Sequence, residues 1–132
     1  MIFALDTNII SYYLQKNLQI KVKLEHAASR RDKIIIPPSV FYEIKRGFKH
    51  KAAPGKEFAF SLFYKKYGVG EMDLDAWEAA ASIYANSRKT GRPIEDTDIL
   101  IAAFCVVNNY TLVTNNTKHF EAIEGLRYED WT

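Results

Sequence analysis

Apolar residues fall in short blocks divided by polar turns, and two kinds of block alternate along the chain. Ile2-Phe3-Ala4-Leu5 is a four-residue apolar run ending at Asp6, which predicts a central strand. Ile34-Ile35-Ile36 predicts a second buried strand, stopped by Pro37-Pro38 because proline cannot donate to a ladder. Thr111-Leu112-Val113-Thr114 predicts another, Leu126 to Tyr128 a short last one, and Gly68-Val69-Gly70 leads into a short strand near Met72. The stretches between them read as helices. Thr7 or Asn8 caps one beginning Ile9-Ile10; Leu18 to Arg31 forms a second; Ser39 caps a third through Val40, Ile44 and Gly47. Lys49 to Gly55 reads as a loop, followed by an aromatic helix with Phe58, Phe60, Leu62, Phe63 and Tyr67. Asp75 to Lys89 is an alanine-rich helix ended by Gly91 and Pro93, and Glu95-Asp96-Thr97-Asp98 opens the nearly all-apolar helix Ile99 to Val107. Strands alternating with helices predict an α/β fold, a parallel sheet covered on both faces.

This pattern gives three acids a common address. Asp6 and Asp98 stand where an apolar strand or a turn gives way to a helix, and Glu43 lies just beyond the Ile34–Ile36 strand and its turn. In a parallel sheet all strand C-ends lie along one edge, where ligands bind, so acids distant in sequence converge there. Converging carboxylates repel unless a cation lies between them, and hard oxygen ligands suit Mg²⁺ or Mn²⁺.

Composition narrows the setting. A chain of 132 residues, 48% hydrophobic and 26% charged, is expected to be one domain spanning 1–132, with a real core but no room for a second module. No signal peptide is read at the N-terminus, and no apolar run approaches the ~20 residues of a membrane span. The one cysteine, Cys105, excludes an internal disulfide and a thiolate metal cluster, and its apolar setting marks a buried, inert thiol. A cytoplasmic location with no membrane partner is the expectation. The net charge of +2 is mild, but Arg30, Arg31, Lys33, Lys45, Arg46, Lys49, His50 and Lys51 concentrate in one stretch. Solvated helix faces and phosphate contact both account for such clustering.

Each acid also has an ordinary structural explanation. Asp6 can cap the first helix; Glu43 can pair with Arg46 one turn on; Asp96 and Asp98 can complement a helix dipole for ~0.3–1 kcal/mol each. Three or four of them at one sheet edge is costly without a cation, and this favours a site. The chain holds no Walker loop, no Rossmann glycine motif and no serine-hydrolase elbow. His26, His50 and His119 lie at no obvious strand end and read as surface or loop histidines. A carboxylate-bound Mg²⁺ acting on a phosphodiester remains, the ion lowering the pKa of a bound water and neutralising phosphate charge.

The residues now resemble a known family. Leu5-Asp6-Thr7-Asn8, Ser39-x-x-x-Glu43-x-x-x-Gly47, Asp98-x-x-Ile101-Ala102-Ala103, Leu112-Val113-Thr114-Asn115-Asn116 with Phe120, and the tail Gly125-Leu126-Arg127-x-Glu129-Asp130-Trp131 occur in that order across the chain. The chain is similar to PIN-domain ribonucleases, specifically VapC-type toxins of toxin–antitoxin pairs. The resemblance implies a PIN-like three-layer α/β/α sandwich with a short, mostly parallel central sheet. It implies that Asp6 and Asp98 are direct metal ligands, that Glu43 completes the site and helps orient or deprotonate the attacking water, and that the Thr114 hydroxyl supports the acids. Asn116 departs from the family, where many members carry a fourth acid, and this bears on whether one ion or two are held; Asp96, two residues before Asp98, is expected to point elsewhere because the helical turn that aims Asp98 inward sends it to another face. The implied substrate is single-stranded or loop RNA, with tRNA among the targets, and Lys45, Arg46 and Lys49 are the phosphate-contact candidates. The implied partners are a small antitoxin protein and a second copy of the chain, using the aromatic helices around Tyr12-Tyr13 and Phe58 to Tyr67.

Other readings keep their place. A non-catalytic RNA-binding PIN domain draws support from Asn116, and a housekeeping RNA-processing or DNA flap nuclease shares the fold. A receiver-like phosphorylation module expects an acid pair after the first strand, where Asp6 is followed by Thr7-Asn8.

Overall fold

The computed structural model describes residues 1–132. The order is β1 (Ile2–Leu5), α1 (Thr7–Leu14), α2 (Leu18–Ser29), β2 (Lys33–Ile35), α3 (Pro38–His50), α4 (Pro54–Tyr67), α5 (Leu74–Lys89), α6 (Asp96–Asn108), β3 (Thr111–Val113), α7 (Thr117–Phe120) and β4 (Arg127–Glu129). The four strands form one sheet in the order β2-β1-β3-β4, and every pairing is parallel. Consecutive residues of a strand face opposite sides of the sheet, yet Phe3, Ala4 and Leu5 are all buried, as are Thr111, Leu112 and Val113. Both faces of the two central strands are therefore covered, which explains their unbroken apolar runs. This is the α/β/α sandwich the alternation and the resemblance implied.

Register carries the argument to the site. Leu5 pairs with Val113, and the ladder runs one step past the named strands. The Asp6 N–H donates to the Val113 carbonyl at 2.9 Å, and the Thr114 N–H to the Glu129 carbonyl at 3.0 Å. Asp6 and Thr114 thus leave the sheet side by side at its C-terminal edge.

A core of 24 buried residues joins both faces, drawing on β1, β3, α1, α2, α3, α4, α6 and the tail residue Trp131. Phe60 and Phe63 of α4 are buried in it, with Phe60 tilted against Phe41 and edge-on to Tyr64. The apolar side chains of this helix are thereby divided: these two fill the core, while Phe58 and Leu62 remain exposed. Cys105 is fully buried and its thiol is pushed well above its ordinary range by that burial, so it is inert.

Four local expectations are corrected. Neither Thr7 nor Asn8 caps α1; the cap is Asp6, whose side chain accepts from the Thr7 N–H. Ser39 does not cap α3. Pro37 is the cap residue and Pro38 occupies the first helical position, where a missing N–H costs nothing, so the helix starts before Ser39 and leaves its hydroxyl buried without a partner. The expected loop at Lys49–Gly55 shrinks to residues 51–53, because α3 runs through His50 and Pro54 opens α4 in the same permissive position. No strand forms near Met72. Val69 makes a single bridge to Ile36, and Asp73 is already the cap of α5, its carboxylate accepting from the Ala76 N–H. Gly70 donates to the Ile36 carbonyl and lies so close to Phe104 that an added Cβ would sit 2.3 Å from the ring.

Candidate active site

Asp6 is held on both carboxylate oxygens. Oδ1 accepts from the Thr7 N–H at 2.7 Å, and Oδ2 accepts from the Thr114 hydroxyl at 2.7 Å. Asp6 is 5% exposed and Thr114 fully buried. Thr114 in turn accepts from the Asn116 N–H at 3.0 Å, so the hydroxyl hydrogen is committed to Asp6. Burial pushes the Asp6 carboxyl above its ordinary range, and the hydrogen bonds from Thr114 and Thr7 pull it part of the way back.

Glu43 reaches the same edge from α3. Its Oε2 accepts from the Thr7 hydroxyl at 3.2 Å, while Oε1 is buried with no partner. Burial again pushes the carboxyl upward, the Thr7 bond and the Arg46 charge oppose it, and Asp6 and Asp98 push it further. Asp98, in the first turn of α6, lies 3.0 Å through Oδ2 from His119 Nδ1 on α7. Its carboxyl is raised by burial and by Asp6, and lowered by His119. All three acids therefore lie within one another's electrostatic reach, desolvated and mutually repelling, at the end of the sheet.

No three His, Cys, Asp or Glu side chains stand close enough to share an ion as they lie. Each carboxylate is turned instead onto its own donor: Asp6 onto Thr7 and Thr114, Glu43 onto Thr7, Asp98 onto His119. The chemistry of the donors nonetheless fits a hard divalent cation: all are carboxylate oxygens, and Glu43 Oε1 is a buried acceptor without a donor. Such an orphan is costly to bury, and a cation offsets it.

The other expected site residues divide. Asp96, at the start of α6, is exposed and makes none of the side-chain bonds of the cluster. Asn116 contributes its backbone N–H rather than its amide. Lys45 is occupied by Glu57 in an ion pair of 2.8 Å, and Arg46 stacks over the Tyr42 ring at 5.2 Å. Neither these two nor Lys49 line the clefts beside the acids. Glu43 makes no ion pair with Arg46.

Sequence reasoning missed three participants. His119 was read as a surface histidine; its side chain is indeed 57% exposed, but it faces Asp98. Only the packing of α7 against α6 places it there, and no sequence signal at position 119 announces it. Thr7, read as a cap, instead joins Asp6 to Glu43 through its N–H and hydroxyl. Asn115 accepts from Asn8 at 3.2 Å and donates to the Tyr12 hydroxyl at 2.9 Å, pinning the β3–α7 turn to α1. The Asp-Thr-Asn and Asn-Asn pairs, already visible as motifs, were the available signal.

The PIN domain matches residues 3–126. The tRNA(fMet)-specific endonuclease VapC of Shigella flexneri is 31% identical over 131 residues, covering 98% of each chain. Ribonuclease VapC1 of Haemophilus influenzae (strain R2866) is 30% identical over 137 residues, covering 100% of this chain and 99% of its own. Among solved structures, that of VapBC2 from Rickettsia felis bound to a DNA fragment from their promoter superposes with a TM-score of 0.93 at 27% identity, covering 100% of both chains. Family profile, full-length relatives and superposition agree: the chain belongs to the PIN-domain family, in its VapC ribonuclease branch.

Proposed function

We propose that the chain is a divalent-metal-dependent endoribonuclease, the toxin of a toxin–antitoxin pair, and that Asp6, Glu43 and Asp98 carry its chemistry. One observation supports the assignment above others: three desolvated acids from three elements press on one another, and one of them presents a buried oxygen, Glu43 Oε1, with no partner. Asp6 and Asp98 are the residues assigned to hold the ion, which is Mg²⁺ or Mn²⁺ on the preference of hard cations for carboxylate oxygens. When bound, such an ion supplies Lewis acidity and charge neutralisation at a phosphoryl group.

The residues divide the remaining work. Asp6 is clamped on both oxygens and cannot turn, which suits it to fixing a position rather than moving a proton. Glu43 keeps one oxygen on the Thr7 hydroxyl and leaves Oε1 without a donor; Oε1 is the oxygen assigned to take the proton of the attacking water, and burial raises the affinity of this carboxyl for protons. His119 holds Asp98 in place through Oδ2. The water oxygen bonds to phosphorus as the bond from phosphorus to one sugar oxygen breaks; that oxygen leaves as a hydroxyl after taking a proton from solvent, and Glu43 returns its proton to solvent.

Several VapC relatives are named as ribonucleases and two as specific for tRNA(fMet), so initiator tRNA is the first substrate to try. The structural relatives were solved as VapBC assemblies, which supports a small antitoxin as partner. Leu18 and Val22 of α2 with Phe58 and Leu62 of α4 are exposed apolar side chains suited to that partner or to a second copy. No helix is long and apolar enough to cross a membrane.

The experiment is cleavage of initiator tRNA and a small-RNA pool by antitoxin-free protein, with Mg²⁺, with Mn²⁺ and with EDTA, beside Asp98→Asn. Discrete products that require metal and fall at least about a hundredfold in the variant are expected, since several kcal/mol of charge stabilisation are at stake. Equal cutting by wild type and variant would remove Asp98 from the site. RNA bound but left intact under every metal would favour the non-catalytic reading that Asn116 supports.

A further inference from the structure

Two clefts open from the acids. One, ≈ 310 Å³, is lined by Arg92, Ile94, Asp98, Lys118 and His119; the other, ≈ 430 Å³, by Thr7, Glu43, Ile44, Phe48, Lys51 and Lys56. The second lies along α1 and α3, which follow β1 and β2; the first lies along α6 and α7, on the β3 side. Because β1 stands between β2 and β3, Asp6 lies between the clefts along the sheet edge.

We infer that the two clefts are arms of one track for the RNA backbone, in which Lys118 contacts a phosphate on one side of the scissile bond and Lys51 and Lys56 contact phosphates on the other. The inference rests on the ribonuclease reading above and moves the phosphate contacts away from Lys45, Arg46 and Lys49. Lys51, Lys56 and Lys118 are exposed and take part in none of the ion pairs of the chain. Their neighbours differ: Lys45 is held by Glu57, and Arg92 leans on Glu121 at 3.4 Å. A polyanion approaching three acids is repelled, and unpaired cations on both flanks are what bring it in. Ile44 and Phe48 give one arm an apolar floor for a base, while Glu95 is the only acid besides Asp98 on the walls of the other.

The test uses the full chain in four forms: wild type, Lys51→Ala/Lys56→Ala, Lys118→Ala, and the control Lys89→Ala, which is exposed at the end of α5 and lines neither cleft. Initiator tRNA cleavage gives kcat and KM, and a short fluorescein-labelled single-stranded RNA gives binding across a salt series. Each cleft lysine removed should raise KM roughly three- to tenfold with kcat unchanged, and flatten the salt slope by ~0.7. Lys118→Arg should restore both, and the control should change neither. Wild-type KM and slope in the cleft variants overturn the track while leaving the nuclease intact. If wild type cuts no RNA, the nuclease reading fails separately and the binding series decides: flattened slopes support the track, equal slopes or absent binding overturn it.

Discussion

Replacing Thr114 by Val removes one hydroxyl and almost no volume, from a position where two bonds meet. The Oγ1 hydrogen is donated to Asp6 Oδ2 at 2.7 Å, and the oxygen accepts the Asn116 N–H at 3.0 Å. A hydrogen bond to a charged group is worth about 1.5–3 kcal/mol, and a buried donor left alone costs about 1–3 kcal/mol. Local relaxation offsets part of the sum, giving an expected loss of about 2–5 kcal/mol at pH 7.5. At roughly 3–4 °C per kcal/mol for a chain of this length, Tm falls visibly. Thr114→Ser keeps the hydroxyl and should lose only about 1 kcal/mol for a buried methyl group. The pH dependence separates this account from a simple packing defect. The Thr114 bond holds the Asp6 carboxyl below the level that burial alone would set, so its loss raises the folded pKa further. A raised folded pKa means that the ionised acid costs stability above that pKa and nothing below the unfolded one. The deficit of the Val variant must therefore grow as pH rises through the Asp6 transition. Urea unfolding followed by the fluorescence of the buried Trp131, at pH 4.5 and 7.5, reads both quantities. A Val variant within about 0.5 kcal/mol of wild type at pH 7.5, or a deficit independent of pH, would show that the Thr114 hydroxyl does not stabilise the Asp6 carboxylate.

The same sign rule makes Glu43→Gln more stable than wild type at pH 7.5. Burial and the neighbouring acids raise the Glu43 carboxyl, and the advantage should vanish as pH falls toward the ordinary carboxylate range in a urea series. Mg²⁺ at ten times its Kd should stabilise wild type by about 1.4 kcal/mol in thermal melts and leave Asp98→Asn unmoved; equal shifts would place the ion elsewhere. Gly70→Ala forces a Cβ to within 2.3 Å of the Phe104 ring and should cost about 1–3 kcal/mol in urea unfolding. Phe104→Leu in the same chain should recover part of that loss, and strict additivity of the two changes would show that the contact is not the cause.

The apolar runs at Ile2–Leu5, Ile34–Ile36 and Thr111–Val113 were legible because a strand covered on both faces needs little but hydrophobic side chains. The acids were legible as positions at one sheet edge for the same reason. The errors of local structure sit where proline or a short polar residue has two roles. Pro54 marks a loop in many sequences but opens α4 here, and Asp6 both caps α1 and stands among the acids of the sheet edge. His119 was hidden because its meeting with Asp98 depends on how α7 packs against α6, a tertiary fact with no local period. Lys45 was equally unreadable: its partner Glu57 lies on the next helix, beyond the proline turn.

The order β2-β1-β3-β4 places β1, made before the other three strands, inside the sheet. Its partner Val113 and the hydroxyl of Thr114 follow more than a hundred residues later. At synthesis rates of ~5–20 residues per second, Asp6 waits roughly 5–20 s for them. A partial chain holds Asp6 and Glu43 but no β3 against which to dock β1. Until β3 emerges, Asp6 therefore lacks the hydroxyl that fixes its second oxygen, and the sheet edge on which the three acids meet is assembled only near the end of synthesis.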